Sequence, residues 1–394
     1  MNVGVVVLAI YTAIACMSCH LYQIPNQEFN WGEVFAFPLL YLYVTITLLI
    51  YPLFKIDYNK ISIIKLPPIK VINIICFYIV ICSIWHLISS LPNIENGLNL
   101  MLIDDSYAID AYLDTTEANM QRKSLSGGTN FLAVSISTGF NFSMLFFFIY
   151  LLYPNRNKWL QYGLTVSLLI TPLSSLASGS REKVICVIIV FAFMFILLRP
   201  FLPKKTNRII TTFSVTATAL FMMLFFIISL ARANGDYDNL IYNTERYFSQ
   251  SFLVFDGKCM FANGTREGNL VSPLINVLTG GSTYSQTELR NKYASLGIDN
   301  GTFYTFVGDF VLDYGPIFAF IILALIAYFF NSKLNVKGTL TIGHVILYFI
   351  LLKLLSGFYL HQFPGIGGNL YVIELALLYI WFTNNQLNTI KRSK

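Results

Sequence analysis

Charge is scarce in this chain. Only 12% of its 394 residues are charged, 26 Lys or Arg against 20 Asp or Glu, while 56% are hydrophobic and mean hydropathy is +0.63. Soluble domains carry about 25% charged residues, so a water-facing globule is excluded and the chain reads as an integral membrane protein. Cysteine offers no framework either. Cys16, Cys19, Cys76, Cys82 and Cys186 fall inside apolar runs and only Cys259 in a loop, which leaves no disulfide or zinc scaffold. "CMSC" has C-x-x-C spacing, but on an apolar helix it reads as packing. Internal repeats, heptads, low-complexity tracts and a soluble nucleotide-binding domain are also missing, which argues against an ATP-driven pump. Met1 to Ile10 hold no basic residue, so the first run reads as a retained span and not a signal peptide.

What the chain does have is apolar length. A helix needs about 20 residues to cross roughly 30 Å of hydrocarbon. Ten stretches meet that need, at 1–19, 34–54, 71–91, 130–153, 159–177, 184–202, 209–230, 306–330, 340–360 and 370–386. The expected fold is all-α, a polytopic membrane helix bundle of about ten transmembrane helices forming a single domain over 1–394. With the N-terminus inside, segments 55–70, 154–158, 199–208, 331–339 and the tail hold 15 of the 26 basic residues. Asp57 is then the one acidic residue inside. The net +6 therefore belongs to the membrane's cytoplasmic side and not to nucleic acid, and both termini are expected inside.

Two outer loops stand out, a medium one at 92–129 ("IDDSYAIDAYLDTTE") and a large one at 231–305. In the larger, "IYNTERYFSQSFLVF" spaces Ile241, Phe248, Phe252 and Phe255 near helical period, which predicts a helix lying on the outer membrane surface. "TGGSTYSQTELRNKYASLGIDNGT" is punctuated by Gly and Asn and reads as loop with one short helix.

The polar residues left in or beside the apolar runs gather at the outer face. "SGSREK" (Ser178 to Lys183) turns the chain there and opens the sixth span. Free N–H groups and the positive dipole end of that helix, with the planar fork of Arg181 and the ammonium of Lys183, suit phosphate oxygens. A capped hairpin whose basic residues snorkel to headgroups is the plainer alternative. Asp309 and Asp313 in "GDFVLDYG" lie four apart on one helix face, and Lys353 falls about 12 Å below His361 at 1.5 Å per residue. An intramembrane pair of Lys353 with Asp313 is expected, as an element of a site or of helix packing, because an isolated charge in hydrocarbon is costly. Glu374 and His86 read as satisfied polar residues, His20 as an interfacial one, and His344 lies on the cytoplasmic side. Arg232 ends the seventh span, and Arg246, Arg266, Arg290 and Lys292 populate the large loop. The expected picture is a basic, carboxylate-lined chamber open to the outer leaflet, beside a Gly-rich turn, "HQFPGIGGN", that reads as a tight link.

This pattern resembles the O-antigen and capsule repeat-unit polymerases of the Wzy type. The likeness rests on the S-G-S-R turn opening a span, the large loop between the seventh and eighth spans, and the "NGTFYTF…DYG" entry at Asn300 to Gly315, and covers about residues 170–330. Arg246 with Gly257, and Arg290 with Gly301, fit the R-x10-G motif of some members, although here both fall in one loop. The resemblance implies an extracytoplasmic glycosyltransferase of the bacterial inner membrane, without metal or other cofactor. It would polymerise undecaprenyl-diphosphate-linked oligosaccharide, donor and acceptor alike, with a chain-length regulator and a flippase as partners. Arg181, Lys183, Arg232, Arg246 and Arg290 would hold the diphosphate leaving group. Asp309, Asp313 or His361 would take the proton of the attacking hydroxyl, and Tyr284, Tyr293 and Tyr304 could stack on sugar rings.

Three rivals remain. A ligase-type transferase is one. A metal-dependent glycosyltransferase is another, for which the first outer loop offers only Glu28 and Glu33 and the second Asp104 and Asp105. A lipid-oligosaccharide flippase is the third, against which stand the lopsided loop and the absence of paired halves with broken helices in the sequence.

Overall fold

The computed structural model describes residues 2–24, 33–58, 60–103, 131–177, 182–232, 237–281, 284, 286–298, 303–336, 338–359, 361–384 and 388–391. Helices dominate it: α1 (Val3–Gln23), α2 (Ala36–Phe54), α3 (Ile69–Ile103), α4 (Phe131–Thr138), α5 (Ser143–Leu151), α6 (Lys158–Ala177), α7 (Glu182–Leu198) and α8 (Lys204–Arg232). They are followed by α9 (Tyr237–Val254), α10 (Pro273–Leu278), α11 (Gln286–Tyr293), α12 (Thr305–Lys333), α13 (Ile342–Leu355) and α14 (Gly365–Asn384). Among the described residues, seven helices are long and apolar enough to cross a membrane, lying in α1, α2, α3, α7, α8, α12 and α14. The all-α membrane bundle expected from composition is therefore present. The apolar stretches at 130–153 and 340–360 yield shorter helices, α4 and α5 joined by a 3₁₀ turn at Gly139–Phe142, and α13.

α5 forms the centre. All nine of its residues, "SMLFFFIYL", are buried, as a helix apolar around its whole circumference must be. α3 and α6 pack beside it at close range: a Cβ on Gly163 would stand 2.7 Å from the Val80 side chain. α8 lies at the periphery, with Ile209, Phe213, Val215, Leu220, Met222 and Met223 exposed, the composition lipid contact requires.

A small sheet closes one end of the bundle. Strand β1 (Ile63–Leu66) lies between β2 (Thr339–Thr341), which it meets in parallel, and β3 (Asn388–Lys391), which it meets antiparallel. Ile63 pairs with Thr339 and Lys391. The α2–α3 link, the α12–α13 link and the tail are thus fixed at the same end. The Tyr153 hydroxyl donates to Pro67 O at 2.7 Å, which adds the α5–α6 link to that end. His344 serves the fold here, in a capping box with Thr341 at the start of α13.

The opposite end carries the described residues between 237 and 304, and α9 departs from expectation. It does not lie on a membrane surface; it descends antiparallel along α1. The Glu245 carboxylate meets His20 at 2.5 Å, the Ser18 hydroxyl donates to Ser249 O at 2.6 Å, and Phe252 reaches the Tyr11 ring. His20 and Tyr11 are about 13 Å apart along α1 at 1.5 Å per residue. Phenylalanines at helical spacing bury against protein as readily as against lipid, so the pattern alone could not choose. A π-helical turn, Phe255–Cys259, ends the descent. Both Asp256 carboxylate oxygens accept from Phe35 N at 3.1 Å, supplying the anion that the N-terminus of α2 lacks in its own sequence.

Candidate functional site: a buried arginine at two broken helices

Two apolar helices break near this loop-bearing end. α13 stops at Leu355 after 14 residues, about 21 Å of helix, short of the roughly 30 Å hydrocarbon. α12 holds a kink at Gly315 (φ 77°, ψ 162°), followed by Pro316. Non-helical backbone at such depth is tolerated only where protein satisfies its polar groups, and here the two breaks satisfy each other. Tyr304 N and Thr305 N donate to Tyr359 O at 3.1 and 2.8 Å, and Phe306 N to Gly357 O at 2.9 Å, so carbonyls of the broken α13 segment take up the free amides that open α12. Tyr11 donates its hydroxyl proton to Leu355 O at 2.9 Å, and the Cys186 thiol bonds Ser356 O at 3.1 Å.

The other end of the α12 half-helix is closed by the loop that carries Arg266. Pro316 has no N–H to give Leu312 O; Arg266 N donates to that oxygen at 2.7 Å, and Gly268 N to Asp313 O at 3.3 Å. The Arg266 side chain, fully buried, then turns beneath the helix. Its Nε donates to Asp313 Oδ1 at 2.6 Å, its Nη2 to Asp309 Oδ1 at 3.0 Å and Asp309 O at 2.9 Å, and its Nη1 to the Tyr304 hydroxyl at 3.1 Å. Burial works against its charge, but the neighbouring Asp313, Tyr304 and Asp309 hold the guanidinium protonated far above the usual arginine range. Asn269 Nδ2 and the Tyr293 hydroxyl both donate to Arg266 O. The cation that answers Asp309 and Asp313 is thus an arginine of the large loop.

This arrangement corrects the expected Lys353–Asp313 pair. Asp313 Oδ1 accepts from Arg266, and its Oδ2 accepts from Leu270 N and Val271 N at 3.0 and 2.7 Å. Lys353 lies elsewhere, its ammonium over the rings of Tyr371 and Phe363. The Asp309 oxygens are committed too, Oδ1 to Arg266 and Oδ2 to His361 N at 2.7 Å. In place of an open carboxylate-lined chamber, the two Asp residues form a closed clamp. His361 differs: its backbone is fixed by Asp309, its ring stands edge-on to Phe310 and Phe363, and its buried Nδ1 has no partner.

The described part of "SGSREK" abuts the same segment. Gln362 Nε2 donates to the buried Glu182 Oε1 at 2.8 Å, and Lys183 is exposed beside it. Arg181 lies outside the described residues, as do the side chains of Arg232 and Arg290. Arg246 lies in the stretch of α9 facing α1, one residue from Glu245. Tyr293 and Tyr304 are buried among the Arg266 partners, which removes them as sugar platforms, whereas Tyr284 is half-buried with Lys292 over its ring at 4.1 Å. "HQFPGIGGN" is tied down, Gly365 N donating to Leu270 O and Asn369 Nδ2 to Val271 O. His86 stacks on Phe140, and Glu374 keeps one buried oxygen without a partner. No group of three potential metal ligands occurs among the described residues.

Set against known proteins, the chain matches no family model, no curated protein and no solved structure. The functional reading therefore rests on the chemistry of these residues.

Proposed function

We propose that the chain is a ten-span polymerase of the bacterial inner membrane with both termini cytoplasmic. On this reading it joins undecaprenyl-diphosphate-linked oligosaccharide units on the outer face. The sheet end is the cytoplasmic one, in keeping with its basic links, and the broken-helix end faces outward. The observation that carries the reading is the hydrogen bond from Gln362, the neighbour of His361, to Glu182 at the described end of "SGSREK", beside an arginine-stitched break in two helices. Arg181 and Lys183 face the leaving diphosphate, whose developing charge needs preorganised cations. The ring of His361, with an open nitrogen, takes the proton of the acceptor hydroxyl. Asp309 positions that ring through the His361 amide, and Asp313 holds the loop.

The test is purified protein in nanodiscs given a lipid-diphosphate-linked repeat unit, read on a ladder gel. Polymer is expected, unaffected by EDTA, with none from Arg181→Ala and little from Arg181→Lys, because the fork is lost. Activity abolished by EDTA and restored by Mg²⁺ or Mn²⁺ would instead indicate a metal-dependent transferase. The breaks in α12 and α13 favour one other reading, a lipid-oligosaccharide flippase, since transporters build their sites from discontinuous helices. A flippase would move the substrate across the bilayer and leave the ladder empty.

A further inference from the structure

Among the described residues, Lys353 is a cation of this region that the clamp does not use. Among the described residues its ammonium makes no hydrogen bond and no ion pair; it rests over the faces of Tyr371 and Phe363, 4.5 and 5.3 Å from their centroids. The nearby carboxylates are committed, Asp309 and Asp313 to Arg266 and Glu182 to Gln362. Its charged neighbour is a second cation, Lys183. Leu351, Leu352, Leu354 and Leu355 are all buried, whereas Lys353 between them keeps part of its surface exposed. The Phe363 ring that it covers also meets the ring of His361, whose Nδ1 is unpartnered and buried. A lysine held at membrane depth without a counter-charge marks a place where an anion is received. Two ammoniums suit a group bearing more than one negative charge, and the aromatic faces suit the hydrocarbon attached to it.

We propose that Lys353 is a binding residue for a prenyl-linked diphosphate. It meets one phosphate from the hydrocarbon side while Lys183 meets the group from the aqueous side. The assignment rests on the polymerase reading for its substrate class but names a residue and an entry side that the reading does not supply. Lys353 touches the headgroup; it takes no part in bond making.

The experiment compares wild type, Lys353→Met and Lys353→Arg in phosphatidylcholine nanodiscs, titrated with farnesyl diphosphate, farnesol and inorganic pyrophosphate, with melting curves as the folding control. Wild type is expected to bind farnesyl diphosphate well and farnesol weakly. The Met variant should lose about tenfold or more in affinity for the diphosphate, the loss expected for one charge-assisted hydrogen bond, and the Arg variant should retain most of it. Equal binding by a folded Met variant overturns the proposal, as does absence of binding by wild type. Pyrophosphate binding as tightly as farnesyl diphosphate overturns the lipid-linked assignment, and so does full displacement of the probe by phosphatidylglycerol. Should the Met variant not assemble, Lys353→Gln supplies the same comparison. The ladder gel separates the two ideas: the expected binding pattern without polymer leaves the site standing and removes the polymerase, whereas polymer with undiminished binding by the Met variant does the reverse.

Discussion

At the residue scale the molecule turns on Arg266, one positive charge held between two carboxylates with no exposure on either side. Removing it strands Asp309 and Asp313 in a low-dielectric site, a change that costs about 3–5 kcal/mol. Arg266→Met is therefore expected to abolish folded protein in detergent, measured by size-exclusion profile and melting. Arg266→Lys should recover little, because one ammonium cannot serve Nε, Nη1 and Nη2 positions at once. Adding Asp309→Asn and Asp313→Asn to Arg266→Met should restore part of the loss, since the stranded charges go with it. His361→Gln is a different case. The bond to Asp309 uses the backbone amide and survives, so on the proposed polymerase reading melting should hold while turnover falls by about 10²–10⁴, the typical contribution of general base catalysis. A loss of turnover smaller than this, with binding intact, would remove His361 as the base. The Asp309–Asp313 face was legible from a spacing of four residues. Its partner was not, because Arg266 arrives from 43 and 47 residues away through a loop of Gly and Asn. Spacing along a helix gives the depth of Lys353 but not the direction in which it points, so depth alone matched it to an acid that it does not meet.

At the element scale the spans were legible wherever apolar length sets the outcome, and illegible where a helix stops within an apolar run. The break at Leu355 depends on partners from α12, α7 and α1, and no local run encodes them. Ser356 and Gly357 interrupt the apolar pattern, but residues of that kind sit quietly in many continuous spans. The dive of α9 was hidden for the reason already given: one face of phenylalanines suits lipid or protein alike. Gly315 is the position where backbone conformation decides the element. Its φ of 77° and ψ of 162° fall in a region open essentially to glycine, and another residue there costs about 1–3 kcal/mol. A Cβ would find room, with Thr265 at 3.8 Å, so the penalty comes from the backbone and not from a clash. Gly315→Ala should lower the melting temperature without changing expression of the spans, and an unchanged melting curve would mean that the kink relaxes into continuous helix.

At the scale of the whole molecule, the sheet is what converts charge counting into geometry. It gathers residues 63–66, 339–341 and 388–391 at the end where basic residues outnumber acidic ones, and places the Arg266 clamp with α9, α10 and α11 at the other. Dispersed loops could each satisfy the positive-inside rule by chance, but three segments paired in one sheet cannot lie on different sides of a bilayer. The orientation therefore stands or falls as a unit, and a few labels decide it. Single cysteines replacing Lys60 and Asn335, both exposed beside the sheet, and Thr279, exposed just after α10, would be introduced into a background with Cys16 and Cys19 changed to Ser. On the proposed location and orientation, a membrane-impermeant maleimide applied to intact cells, with the outer membrane opened, should label Thr279→Cys at once. It should reach Lys60→Cys and Asn335→Cys only after the inner membrane is permeabilised. The reverse order would turn the Arg266 clamp and Lys353 toward the cytoplasm, where a prenyl-linked chain awaiting extension outside the cell could not meet them. A split result, with Lys60 and Asn335 labelled from different sides, would instead contradict the sheet itself, and with it the meeting of the α2–α3 and α12–α13 links that fixes which ends of those helices lie together.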